Sequence, residues 1–174
     1  MLAVASVTTL GGFLAAGVLS EPAGPPVSIP GAVAIQPLSG WQRAAPGSVD
    51  GRPFVRVTRG SGTLAVFAWG PFAGDAEALA VEVRDDLLRE LLGQLSVSET
   101  LTTVPFDQGP VGRRFTFVGI DRDTGTAVEG EITAAVPADG QGVVFVGIAP
   151  EGLLAFIAGD LRTMVTGADF GAGP

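Results

Sequence analysis

The chain contains no cysteine, no histidine and no tyrosine, and because all 10 of its basic residues are arginine it contains no lysine either. Each absence removes a chemistry. Disulfides, thiolates, imidazole acid–base work and lysine Schiff bases are excluded, and a glycine-rich phosphate loop ending in Gly-Lys cannot be written. Positive charge is scarce, with 10 arginines against 18 acids and a net charge of −8. Nucleic acids and anionic membrane surfaces are bound mainly by clustered Lys and Arg, so this balance argues against both as partners. What is present is 174 residues, 47% hydrophobic and 16% charged, the profile of one globular domain with an apolar appendage. A domain of this size hides roughly two-thirds of its unfolded surface and needs no covalent staple.

The appendage is residues 1–20. No charged residue occurs between Leu2 and Leu19, and as a helix rising ~1.5 Å per residue that run reaches about 27 Å, close to a bilayer's hydrocarbon thickness. It is expected to be a hydrophobic helix, either an uncleaved anchor or a signal segment cut after Ser20. Both place the remainder outside the cytoplasm, as a single-pass membrane protein in the first case and as a secreted one in the second. The first basic residue is Arg43, so no positive flank orients the segment, and without cysteine a lipid anchor cannot be attached. Residues 21–32 carry four prolines and predict a stiff, extended spacer. The folded domain is expected over residues 33–166, with residues 167–174 as a flexible tail.

Within the domain, residues 64–69, 115–120 and 143–148 are apolar on both alternating faces and predict strands covered on both sides. Residues 54–59 and 126–136 alternate apolar with polar and predict half-exposed strands. Leu79, Val83, Leu87, Leu91 and Leu95 recur at helical spacing behind Asp75, predicting one helix over residues 75–95 with Asp75 as its N-cap. A second helix is predicted to start at Pro150 and to bury Leu153, Ile157, Leu161 and Met164. Turn residues at 121–125 and 138–142 link three strands into an antiparallel meander. The fold class is therefore α+β, a mainly antiparallel sheet flanked by helices.

Gly40-Trp41, the 64–69 strand leading into a long helix, the segment at 96–100 and the closing strand at 143–150 before a terminal amphipathic helix together resemble the PsbP-like fold. Within it, the chain is similar to actinobacterial cell-envelope proteins of the LpqN type and to related membrane-anchored proteins. That resemblance implies an α/β/α sandwich used for binding or scaffolding, and no shared catalytic residue. The chain departs from lipoprotein members in having no cysteine to lipidate.

Few side chains invite chemistry. Asp123-Thr124-Gly125 matches the tripeptide of aspartic peptidases, which need a second carboxylate to share a proton. A single copy preceded by Asp121 and Arg122 is better explained as a hairpin turn. Asp121 and Asp123, with Glu129 or Glu131, supply oxygen ligands suited to calcium, but Thr126 occupies the position where an EF-hand loop needs glycine. Arg113 and Arg114 suit an anionic partner or simple edge protection of a strand. Trp41 and Trp69 suit a ligand cleft or, more simply, core anchorage. The repeated Phe-Val-Gly-Ile at 117–120 and 145–148 suggests duplication or convergence of two central strands, each glycine marking close approach or a bulge. The expected function is a membrane-tethered, extracytoplasmic, non-catalytic binding or scaffolding domain without cofactor or metal. Its partner is expected to be an envelope protein or lipid. A secreted hydrolase working with carboxylates alone, or a carrier of lipid or another hydrophobic ligand, are the alternatives.

Overall fold

A computed structural model describes residues 24–171. The expected anchor or signal helix at 1–20 lies outside the described residues, as do residues 21–23 and 172–174. Among the described residues no helix is long and apolar enough to cross a membrane.

A nine-stranded sheet, antiparallel at every pairing, organises the domain. Its strands are β3 (Gln42–Arg43), β4 (Gly47–Val49), β5 (Arg52–Arg59), β6 (Gly62–Pro71), β7 (Leu92–Val97), β8 (Thr102–Pro105), β9 (Val111–Asp121), β10 (Ala127–Ala135) and β11 (Gln141–Pro150). They lie in the order β3-β5-β6-β11-β10-β9-β7, with β4 on β5 and β8 on β9. The β9–β10–β11 meander and its two hairpins are as the turn residues predict. One face is covered by α1 (Ala76–Asp85) and α2 (Leu87–Leu91), and the other by α3 (Leu154–Thr166) and the hairpin of β1 (Val27–Ile29) with β2 (Val33–Ile35). Each face has its own apolar cluster, so the sheet is sandwiched as the alternation of its residues requires.

Several local expectations are corrected. The predicted 75–95 helix is broken at Asp86 and ends at Leu91. Leu79, Val83 and Leu87 are buried, but Leu92 rather than Leu91 takes the next core position, and Gln94 adopts φ +46° inside β7, where the register against β9 shifts between Gly93 and Ser96. Spacing alone could not show this, because four further leucines at 88–95 permit either course. Asp75 does cap α1, accepting from Glu77 N and Ala78 N at 3.0 and 2.9 Å. Pro150 closes β11 opposite Val128 instead of opening a helix. The helix starts at Leu154 and leaves Leu153 exposed, while Ile157, Leu161 and Met164 are buried. The helix docks close because two strand positions carry no side chain: a Cβ on Gly62 would meet Ile157, and one on Gly147 would meet Leu161.

Burial of two strands is the reverse of expectation. Val118 on β9 is 46% exposed, whereas β10, predicted half-exposed, is buried from Gly130 to Ala135. The cause is position: β10 lies between β9 and β11 under both helical layers, while α3 does not reach across β9. The proline-rich spacer is also partly structured. Val27 and Ile29 are buried in β1, so the fold begins before Val33. At the other end Ala168 is buried, Asp169 exchanges backbone hydrogen bonds with Ala34, and Phe170 packs edge-on to Phe106. The expected tail is thus fastened over its first residues.

Candidate functional site

The structure disperses most of the residues singled out above. Asp123-Thr124-Gly125 lies in the β9–β10 hairpin, where Asp121 Oδ1 accepts from Thr124 N at 2.7 Å, Thr124 Oγ1 at 2.8 Å and Asp123 N at 3.1 Å. These bonds, the Thr124 backbone N–H first, hold the Asp121 carboxyl below its usual range. Gly125 supplies the positive φ of +67° that the turn needs. The acids across the groove from Asp121 and Asp123 are Asp50 and Glu90, which sequence did not mark; no group of three ligands suited to a metal occurs among the described residues. Glu129 and Glu131 do not join that turn. Glu129 accepts from Leu154 N at 2.7 Å and so caps α3, whose own N-cap residue has no side-chain bond to give.

Each tryptophan ties the helical layer on its side to the sheet. Trp41 Nε1 donates to Asp160 of α3 at 2.9 Å, with Arg59 paired to the same oxygen. Trp69 Nε1 donates to Glu82 of α1 at 2.8 Å, and the Arg52 guanidinium lies 3.9 Å from its ring centroid. Both indoles are buried anchors. The repeated Phe-Val-Gly-Ile is no structural repeat, since Phe117 faces the α1 cluster and Phe145 the α3 cluster. Each glycine does mark a close approach, Gly119 to Leu92 and Gly147 to Leu161.

One constellation remains. Arg113 and Arg114, successive on β9, point to opposite faces. Arg113 donates to Thr103 Oγ1 at 2.6 Å and pairs with Glu77. Arg114 instead reaches Glu131 of β10, and Arg162 of α3 reaches the same oxygen, Oε2, each at 3.8 Å. The Glu131 side chain is 6% exposed, those of Arg114 and Arg162 are 22% and 56%. At 3.8 Å neither pair is a hydrogen bond, and neither carboxylate oxygen accepts one from any described residue. The three groups line a pocket of about 130 Å³ between α3, β8, β9 and β10, walled on its apolar side by Val104, Pro105 and Val165.

Burial pushes the Glu131 carboxyl above its usual range, and the two arginines only partly offset this. The folded protein therefore keeps a proton on Glu131 over an interval in which the unfolded chain, titrating near 4.5, has lost it. Stability contributed at this position falls as pH rises from that value toward the folded one. Glu131→Gln is accordingly expected to raise the melting temperature at about pH 7 and to give no gain at about pH 3.5, where both states hold the proton. Thermal unfolding followed by circular dichroism at the two pH values checks it; a loss at neutral pH would show the ion pairs outweighing desolvation.

Sequence reasoning named Arg114 and Glu131 separately, for other roles, and missed Arg162. The signal available was weak: three acids or threonines alternate along β10, and nothing local says that the polar side of that strand lies beneath a helix.

Against known structures, the chain is similar to the solution structure of cyanobacterial PsbP (CyanoP) from Synechocystis sp. PCC 6803, with a TM-score of 0.58 at 11% identity over 80% of this chain and 87% of that one. The domain therefore has the PsbP-like fold: a mostly antiparallel sheet with a few helices. No family model and no curated relative matches the sequence.

Proposed function

We propose that this chain is a membrane-tethered, extracytoplasmic domain, related to the LpqN-type envelope proteins, that binds an envelope protein or lipid and performs no chemistry. The observation that carries binding over catalysis is the Arg114–Glu131–Arg162 pocket, where one carboxylate stands between two guanidiniums. Such a set can hold a ligand. It supplies no second acid with which to share a proton and no nucleophile activated by a neighbouring base. Tethering is supported by the uncharged run from Leu2 to Leu19 and by an acidic domain that would not itself adhere to an anionic bilayer.

A hydrolase of the aspartic type would depend on Asp123, whose residue sits in a turn organised by Asp121. Asp123→Asn is expected to leave the melting temperature and every partner interaction unchanged; a peptide-cleaving activity abolished by this substitution would overturn the non-catalytic assignment. A carrier would need room between helix and sheet, and under α1 and α2 that space is filled by Leu79, Val83, Leu87 and Leu88. Crosslinking the full-length protein in its own membrane, followed by mass spectrometry, is expected to yield a reproducible envelope partner. Processed protein beginning after Ser20 in the culture medium would refute the tether.

A further inference from the structure

We propose that the pocket between α3 and strands β8–β10 binds a small organic monocarboxylate, its oxygens taken jointly by Arg114 and Arg162. This names a ligand for the same pocket on which the binding assignment above rests.

The geometry is that of a carboxylate site filled incompletely from within. Two guanidiniums from different elements, β9 and α3, converge on one point, and the carboxylate at that point is held 3.8 Å from each. A made charge-assisted N–H···O bond is about 2.8 Å long. Glu131 stands on a strand paired on both sides, and its carboxylate lies short of a hydrogen bond to either guanidinium. A free carboxylate can move to where both guanidiniums reach it. The space is available: about 130 Å³, several times the ~15 Å³ one buried water needs. Val104, Pro105 and Val165 offer a short apolar body a wall to lie against.

Charge selects the ligand. Arg114 and Arg162 against Glu131 leave the pocket one positive charge in excess. An ammonium ligand would face two guanidiniums, and a second carboxylate on the ligand would lie against Val104, Pro105 and Val165 with no guanidinium left to meet it. A single carboxylate occupies both guanidiniums, provided it is not repelled by Glu131. That repulsion disappears when Glu131 takes up one proton from solvent, after which its O–H can donate to the bound carboxylate. The groups facing Glu131 are Arg114 and Thr133 from the sheet and Arg162 and Thr166 from α3, while β8 contributes Thr103 and no charge. None of the neutral ones titrates, so one proton should enter per ligand bound.

The test uses full-length protein in detergent or bilayer discs, titrated calorimetrically with sodium propionate. Propionate is expected to bind at least tenfold more tightly at about pH 5 than at about pH 7.5, a ratio that one linked proton supplies. Glu131→Gln should bind at pH 7.5 as tightly as the parent does at pH 5 and lose the pH dependence. Arg162→Ala, altering a largely exposed side chain, should fold normally and lose propionate binding at least tenfold. No propionate binding at pH 5, equal affinity at both pH values, weaker binding by Glu131→Gln, or inorganic phosphate outcompeting propionate would each overturn the inference. Should propionate fail while the crosslinked envelope partner is still captured, the ligand assignment falls and the binding-domain assignment stands.

Discussion

Gly130→Ala is expected to lower the melting temperature by roughly 10 °C, corresponding to about 3 kcal/mol for a domain of this length. Gly130 lies mid-way along β10, where an added Cβ would collide with the Gly147 carbonyl oxygen on β11 and with the Phe117 ring on β9. The ring could rotate. The carbonyl could not, because Gly147 belongs to the ladder and itself lies directly under Leu161. Relief would therefore require the central strands to part, which also disturbs the seat of α3. The contrast is Gly159 in α3, where a Cβ would meet nothing within 4 Å; alanine there should stabilise by up to ~1 kcal/mol, since glycine weakens a helix interior. Thermal unfolding of both variants decides the matter. Equal effects of the same sign would mean that the three-strand contact at Gly130 is looser than described.

Phe145→Ala is expected to cost about 3–5 kcal/mol, the range for removing a fully buried phenylalanine. Phe145 is 1% exposed on β11 and sits 5.7 Å from Phe106 and 6.3 Å from Phe170, ring centre to ring centre, while Phe106 and Phe170 meet edge to face at 4.9 Å. Its truncation empties the centre of the cluster that fastens the chain beyond α3. Urea unfolding should show a lower midpoint with an unchanged slope. In a double cycle with Phe170→Ala, a coupling of about 0.5–1.5 kcal/mol is expected, typical of aromatic pairs. If residues after Gly167 were the frayed tail their composition suggests, Phe170→Ala would cost nothing and the coupling would be zero.

Both effects come from contacts between distant stretches of chain; local patterns suffice elsewhere. The apolar runs lie inside β6, β9 and β11 and stop within two residues of their ends except at the start of β9, which begins four residues earlier; the Asp75 cap is legible as an acid opening a periodic stretch, and the 121–125 turn from Asp and Gly. All three depend on interactions within a few residues of chain. The 79–95 ladder does not persist as one helix because an apolar residue at every fourth position stays compatible with a strand once α2 has ended. The prolines of residues 21–32 do deny helix hydrogen bonds, yet Val27 and Ile29 alternate with Ser28, and that short pattern is enough for a two-stranded hairpin against Val33–Ile35.

The candidate site was the least legible part. Glu129 and Glu131 look alike on the chain, two acids on one side of one strand, but Glu129 reaches the start of α3 to cap it while Glu131 is trapped beneath its far half beside Arg114 and Arg162. Which acid caps and which is buried is set by where a helix over twenty residues later crosses the sheet.

Alone, the order of the amino acids determined what the protein lacks for chemistry, its acidic balance, the antiparallel meander and the two-sided covering of its sheet, because composition and alternation act at short range. The tertiary structure decided that β10 is buried more fully than β9, that residues 27–35 and 168–170 are stitched to the core, and that one glutamate and two arginines meet over a pocket. Those outcomes follow from strand order and helix placement, which bring together residues that share no local pattern.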